Sequence, residues 1–173
     1  LAALVGGGFV GMIDDFINIK GDGSGTAGIR PKVKFAMITA VAAAGAWFFY
    51  YKLGYSTVQL PVYGDLTVGL LLIPLFILAV VSTANAVNIS DGLDGLAGGM
   101  LLNAYAAFAV IAGLQGNFGI AAFCMTVSGA LLAYVWFNIP PARFFMGDSG
   151  SFALGTSLGV VAMLTDTLLL LPV

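Results

Sequence analysis

Long apolar segments separated by short polar connections constrain this chain more than any other feature. A helix that crosses the hydrocarbon core of a bilayer needs roughly 20 apolar residues. The sequence has one shorter apolar segment and then five of about that length, at residues 1–13, 35–53, 67–87, 96–114, 119–137 and 151–171. Inside a bilayer, a single segment satisfies its backbone polar groups only as a helix. The sequence therefore predicts an all-α polytopic membrane protein with about five full transmembrane helices and one partial helix.

The composition agrees with this fold class and excludes a soluble domain. Hydrophobic residues make up 60% of the chain and charged residues 8%, whereas soluble domains are about half apolar and a quarter charged. There is no histidine, which removes the usual general base and the commonest metal ligand. No repeat or soluble domain interrupts residues 1–173, so we predict a single transmembrane domain. Because both ends lie in apolar segments, we expect the central part of a longer chain.

The polar connections alternate in chemistry along the chain. The first, third and fifth contain five of the six basic residues and six of the eight aspartates. An excess of Lys and Arg marks the cytoplasmic side of a membrane protein. The second connection, residues 57–67, alternates apolar and polar residues around Tyr63-Gly64-Asp65 and predicts a small β-hairpin on the outer side. We therefore expect the aspartate-rich connections to form one site on the cytoplasmic face.

The third connection carries the densest polar pattern. Residues 85–97 read NAVNISDGLDGLA, in which Asn85, Asn88, Asp91 and Asp94 recur at every third position. In a helix or a tight helical turn, that spacing keeps neighbouring side chains on overlapping faces. Polar groups at the boundary of a membrane helix are expensive and indicate a functional site. The alternative is a helix cap and turn rich in Asn and Asp, which favour both structures.

Two further acidic positions lie at predicted helix ends. Asp14 and Asp15 are adjacent, and their mutual repulsion favours a bound cation or a role for one of them as a base; a solvated helix end is the alternative. Asp148 precedes the last segment, where Asp148 or Ser149 could cap the helix and free backbone N–H groups could bind a phosphate. Carboxylates without His or Cys suit Mg²⁺ together with substrate phosphates. The pattern indicates Mg²⁺-assisted phosphoryl transfer at the membrane surface.

Basic and aromatic residues flank these acids. The basic residues are Arg30, Lys32, Lys34 and Arg143. They could attract phosphate groups, although anchoring at lipid headgroups explains each of them equally well. Phe144 and Phe145 could stack on a nucleobase or anchor the chain at the membrane interface.

Three sequence blocks together resemble a known enzyme family. Residues 14–15 (DD), 85–97 and 145–155 (FMGDSGSFALG) are similar to the signature blocks of the polyprenyl-phosphate N-acetylhexosamine-1-phosphate transferases. The run at 136–148 (WFNIPPARFFMGD) and the hairpin are most similar to members that use UDP-MurNAc-pentapeptide. The resemblance implies transfer of phospho-MurNAc-pentapeptide from UDP to undecaprenyl phosphate, which yields lipid I and UMP in the bacterial plasma membrane. It implies a lipid bilayer as surroundings, a homodimer, and no nucleic acid partner.

The resemblance also assigns roles by motif position. It implies that Asp148 is the Mg²⁺ ligand, and that Asp14, Asp15, Asn88 and Asp91 form the catalytic cluster. The resemblance also implies that a second set of residues binds the substrate: Lys32, Asn85, Asp94, Asn138 and Phe145. The chain departs from the family pattern at Asn18, where a Lys is frequent, and it lacks the His-rich motif and the earlier helices. We therefore expect these residues to specify the reaction without performing it alone.

Two other functions remain open at the level of sequence. A sister enzyme that transfers GlcNAc-1-phosphate from UDP-GlcNAc to undecaprenyl phosphate, for another cell-surface glycan, would use the same chemistry. A cation-coupled transporter is the more remote alternative. Its ion pathway would require acids in the middle of the spans, whereas most acids here lie at one face.

Overall fold

A computed structural model describes residues 1–20, 29–60 and 64–171 of the chain. The elements in order are α1 Ala2–Lys20, α2 Pro31–Tyr51, β1 Thr57–Leu60, β2 Gly64–Thr67, α3 Leu72–Ser90, α4 Leu96–Leu114, α5 Phe118–Asn138 and α6 Gly147–Leu164. In the described residues, five helices are long and apolar enough to cross a membrane: α1, α2, α3 with the short turn before it, α4 and α5. The prediction of an all-α polytopic membrane protein is confirmed.

The predicted hairpin is also present. Strands β1 and β2 pair antiparallel, with Thr57 opposite Thr67 and Val58 opposite Leu66. The residues that join the strands, 61–63, lie outside the described part of the chain, as does the loop at 21–28.

The bounds of α1 and α6 differ from the prediction in ways that affect the polar residues. Helix α1 continues beyond residue 13 to Lys20, so Asp14 and Asp15 lie on the helix and not in the connection. Helix α6 begins at Gly147, four residues before the predicted start, and ends at Leu164. Hydropathy marks the apolar part of a helix, whereas its ends depend on which partners satisfy the terminal backbone groups.

Helix α6 is the centre of the bundle. Phe152 and Met163 of α6 belong to a hydrophobic core shared with α1, α2 and α3. Leu158, Val161 and Ala162 belong to a second core shared with α4 and α5. Helix α6 therefore connects a three-helix group on one side with the α4–α5 pair on the other.

Glycines allow helices α1 and α3 to pack so closely against α6 that the backbones of the helices are in contact. A Cβ atom placed at Gly11 of α1 would lie 2.1 Å from the carbonyl oxygen of Asp148, and one at Gly7 would lie 2.5 Å from that of Phe152. A Cβ atom at Gly155 of α6 would lie 2.6 Å from the Cα atom of Ala84 in α3. Small residues four positions apart are a common means of close helix packing in membranes. This packing brings the polar ends of α1, α3 and α6 together.

Candidate active site

The ends of α1 and α6 place three carboxyl groups side by side. One oxygen from each of Asp14, Asp15 and Asp148 lies within 4.8 Å of the others. Lys34, in the first turn of α2, contributes the opposite charge. Its Nζ atom lies 2.9 Å from Oδ2 of Asp14 and also contacts Oδ2 of Asp148. Three acids at this spacing repel one another unless cations compensate them, so the cluster has the electrostatic character of a cation site.

Asp14 is the most buried member of the cluster, with 1% of its surface exposed. Its Oδ1 accepts a hydrogen bond of 2.7 Å from the backbone N–H of Ile29. Its Oδ2 accepts one of 3.2 Å from Nδ2 of Asn18, one helical turn further along α1. A buried carboxylate needs such partners because it has lost its water.

Asp15 caps the N-terminus of α6. Its Oδ1 accepts a hydrogen bond from the backbone N–H of Asp148 at 3.3 Å, and its Oδ2 accepts one from the N–H of Ser149 at 3.0 Å. The Ser149 hydroxyl donates to the same Oδ2 at 2.6 Å. The prediction that Asp148 or Ser149 caps α6 is wrong: the N-cap residue is Met146, which makes no side-chain capping bond. The N–H groups that could have met a phosphate are bonded to Asp15 instead.

Asn88 reaches the cluster from the last turn of α3. Its Nδ2 atom donates to Oδ1 of Asp148 at 2.6 Å and to the Ser151 hydroxyl at 2.9 Å. Asn85, three residues earlier, donates to the carbonyl oxygen of Val81 in its own helix at 2.7 Å. Among the described hydrogen bonds, therefore, the structure joins Asn88 to the carboxyl groups and leaves Asn85 within α3.

Asp91 and Asp94, in the connection after α3, accept hydrogen bonds from the start of α6 and from the connection after α5. Asp91 accepts hydrogen bonds from the N–H of Gly147 at 3.0 Å and from the Tyr134 hydroxyl at 3.4 Å. Burial raises the pKa of the Asp91 carboxyl above its ordinary value, and the Gly147 N–H opposes that shift. Asp94 accepts a hydrogen bond of 3.0 Å from the N–H of Ala142.

Asn138 joins the same two connections from a buried position. Only 1% of its surface is exposed. Its Oδ1 accepts from the N–H of Gly95 at 2.9 Å, and its Nδ2 donates to the carbonyl oxygen of Phe144 at 2.9 Å. Gly95 has a positive φ of 76°, a conformation that glycine adopts without steric cost. The Asn138 amide thus orders the loop, and its predicted contact with a nucleoside stays a prediction.

The predicted substrate residues Phe145 and Lys32 lie at the surface. Phe145 is 45% exposed and Phe144 49% exposed; Phe144 also stacks on Phe137 and meets Tyr134 edge-on. Lys32 is exposed. Lys34 occupies the position beside the acids instead, because side chains two residues apart on a helix point in nearly opposite directions.

Sequence reasoning missed four residues of this network as site residues: Lys34, Ser149, Ser151 and Tyr134. In the sequence, nothing distinguishes Lys34 from the other basic residues of the same connection. Ser149 follows Asp148 directly and Ser151 lies three positions after it, so the GDSGS run is a signal in the sequence for both. Tyr134 lies in an apolar stretch and carries no sequence signal.

The donor set of the cluster fits a hard divalent cation. Asp14, Asp15 and Asp148 offer carboxylate oxygens, the ligand type that Mg²⁺ takes in proteins, with water and phosphate oxygens completing the coordination. The described residues around the cluster add no thiolate, and the chain has no histidine, so softer metals have no preferred ligand here.

An apolar groove of about 520 Å³ runs between α3 and α4. Leu101, Ala104 and Phe108 of α4 and Leu158 of α6 line its length. Val87 and Ser90, which flank Asn88 in the sequence, line it at the end of α3. The groove therefore extends to the last turn of α3, the turn that carries Asn88, and continues among apolar side chains.

Comparison with known proteins places this geometry in a family. A family model described as glycosyl transferase family 4 matches residues 1–166. The chain belongs to glycosyl transferase family 4. The match includes every aspartate of the cluster, which confirms the resemblance found in the sequence.

Three curated relatives that match the chain carry the name phospho-N-acetylmuramoyl-pentapeptide-transferase. The relative from Chloroflexus aurantiacus is 41% identical over 100% of this chain and 49% of its own length. Those from a Geobacillus species and from Clostridioides difficile are 39% and 38% identical over 99% and 100% of this chain, and over 52% and 54% of their own lengths. The chain thus spans about half the length of these relatives.

Proposed function

We propose that this chain carries the catalytic centre of an enzyme that transfers phospho-MurNAc-pentapeptide from UDP-MurNAc-pentapeptide to undecaprenyl phosphate, which yields lipid I and UMP. The observation that supports this most is the cluster of Asp14, Asp15 and Asp148 around Lys34, at the polar end of a membrane bundle. In the reaction, an oxygen of the lipid phosphate attacks the sugar-bound phosphorus of the UDP-sugar. The phosphoanhydride bond breaks, and UMP leaves with its electron pair.

The carboxyl cluster is the proposed site of Mg²⁺. Asp148 is its proposed ligand, with Asp14 and Asp15 beside it, and bound Mg²⁺ would neutralise charge on the phosphates that react. Lys34 supplies a second positive charge at the same place. Asn88 orients the Asp148 carboxylate through its hydrogen bond. Asp91 holds the start of α6 through the N–H of Gly147.

The nucleotide end of the donor is assigned to the surface beside the cluster. Phe145 exposes 45% of its surface, and an exposed aromatic side chain suits stacking on a uracil base. Asp94 and Asn138 order the adjoining loops, and Lys32 lies exposed near the start of α2. These four residues, with Asn85, make up the proposed substrate-binding set.

The polyprenyl tail of the acceptor is assigned to the α3–α4 groove. The groove is lined mostly by apolar side chains and includes Val87 and Ser90 in the last turn of α3, the turn that also carries Asn88, so a lipid in it would have its phosphate at the end of the bundle that holds the carboxyl cluster. The active site would face the cytoplasm, because the excess of Lys and Arg lies on the same side, and the enzyme would reside in the bacterial plasma membrane.

Radiolabel transfer by the full-length source protein in detergent tests the proposal. UDP-MurNAc-pentapeptide and UDP-GlcNAc are offered separately, with Mg²⁺ and undecaprenyl phosphate. We expect labelled lipid from the first donor only, and its loss in Asp148→Asn. Product from UDP-GlcNAc alone would assign the enzyme to another glycan pathway. Absence of product from both donors, in a folded preparation, would contradict the transferase function.

The lipid groove has its own test in a matched pair of variants. Ala104→Trp fills the groove, and we expect a higher KM for undecaprenyl phosphate with an unchanged KM for the UDP-sugar. Val110→Trp places the same ring on the exposed surface of α4 and should change neither constant. Equal effects of the two variants would show that the lipid does not use this groove.

A further inference from the structure

Both carboxylate oxygens of Asp15 are engaged by the first turn of α6. Oδ1 accepts the N–H of Asp148, and Oδ2 accepts both the N–H and the hydroxyl of Ser149. The N–H groups in the first turn of a helix have no partner within the helix, and a negative charge there also interacts favourably with the helix dipole. The N-cap residue itself makes no side-chain bond. Asp15 therefore supplies, from another helix, the cap that α6 lacks.

We propose that Ser149 is a positioning residue of the transferase site, and that it acts with Asp15 to hold Asp148 in place against α1. This proposal rests on the proposed function for its catalytic consequence. Asp148 immediately precedes Ser149 in the same helical turn, so any shift of that turn moves the Asp148 carboxylate. The 2.6 Å bond from the Ser149 hydroxyl to Asp15 is charge-assisted, and such bonds are about twice as strong as neutral ones.

The backbone of α6 also packs closely against the Asp15 carboxylate at Gly147. Gly147 has a φ of 67°, and a Cβ atom there would lie 3.3 Å from Oδ2 of Asp15. Two residues later, the Ser149 side chain meets the same oxygen. The carboxylate thus fits against a glycine on one side and a hydroxyl on the other.

The assignment separates the roles of the two adjacent aspartates. Asp14 forms the ion pair with Lys34, and Lys34 also contacts Asp148. Asp15 has no such contact with Lys34 among the described ion pairs, and its oxygens are directed at α6. Asp15 is thus a positioning residue, and the carboxylates that share the Lys34 charge are Asp14 and Asp148.

The experiment compares hydroxyl variants of the full-length protein in detergent. Ser149→Ala removes one hydrogen bond to a charged group. We therefore expect this variant to lower kcat about tenfold to a hundredfold. Ser149→Thr keeps the hydroxyl and should restore kcat to near the wild-type value. Thr126→Ala is the matched control, because among the described residues the Thr126 hydroxyl donates to the carbonyl oxygen of Ala122 in its own helix and contacts no residue of the cluster; its kcat should equal that of wild type.

Two further measurements make the test independent of assay failure. Asp15→Asn combined with Ser149→Ala should lower kcat no more than the stronger single variant, because residues that act as a unit are not additive. Amide exchange at residues 148 and 149 should be faster in Ser149→Ala than in wild type, whether or not the protein is active. Equal exchange, or a failure of Ser149→Thr to restore kcat in a folded protein, would overturn the proposal. If wild type transfers neither sugar, the proposed function fails, while the exchange comparison still decides whether Ser149 holds the helix start.

Discussion

Gly11 is the position where a single methyl group should separate the two helices that form the carboxyl cluster. It lies on α1 one turn before Asp14 and Asp15. A Cβ atom there would lie 2.1 Å from the carbonyl oxygen of Asp148 and 2.5 Å from the backbone nitrogen of Ser149. Backbone atoms cannot rotate away as a flexible side chain can, so Gly11→Ala must move one helix relative to the other.

The size of that movement follows from van der Waals distances. Ordinary contacts of a Cβ atom begin near 3.4 Å, so the helices must separate by about 1 Å. The bond between Oδ2 of Asp15 and the N–H of Ser149, now 3.0 Å, would then exceed the length of a hydrogen bond. Overpacking of this kind costs about 1–3 kcal/mol, and a 1 Å displacement at a catalytic site lowers the rate about a hundredfold.

The assay measures the melting temperature and the transfer rate of full-length Gly11→Ala in detergent. We expect a melting temperature lower by about 2–12 °C for that energy and about a hundredfold slower transfer. Gly99→Ala, in α4, is the matched control. Within the described part of the chain, the added Cβ atom meets no neighbour within 4 Å. We therefore expect only the gain in helix propensity, which stabilises the protein by about 0.5–1 kcal/mol. If Gly11→Ala equals wild type in both measurements, the close α1–α6 packing is refuted.

Three further outcomes follow from the site. Lys34→Gln removes the cation between two carboxylates and should lower initial transfer rates at least about tenfold, whereas Lys52→Gln, at an exposed lysine beyond the other end of α2, should keep rates near wild type. Asn138→Ala leaves two backbone groups without their side-chain partner and should lower the melting temperature by at least about 4 °C; Asn103→Ala, which loses a bond within its own helix, should not. Because burial raises the folded-state pKa of Asp91, its contribution to stability is present at low pH and lost as the pH rises through that pKa. The melting temperature of wild type should therefore fall relative to Asp91→Asn between acid and neutral pH, and parallel curves would contradict this.

The sequence by itself determined the class of fold and the end of the bundle at which chemistry can occur. Apolar segments of spanning length become helices because a bilayer offers no other partner to the backbone. The concentration of charged residues in the first, third and fifth connections then places Asp14 and Asp148 on the same side, although they are far apart in the chain. These conclusions depend on length, hydropathy and charge, which are read from local sequence.

Tertiary structure alone decided which polar groups meet. Lys34 and not Lys32 lies beside the carboxylates because the rotation of α2 about its axis is set by packing against α3 and α1. Asp15 caps α6 because glycines at positions 7 and 11 admit the backbone of α6, and Asn85 stays within α3 while Asn88 reaches Asp148. These choices depend on how closely residues far apart in the sequence pack against one another. No local sequence pattern contains that information.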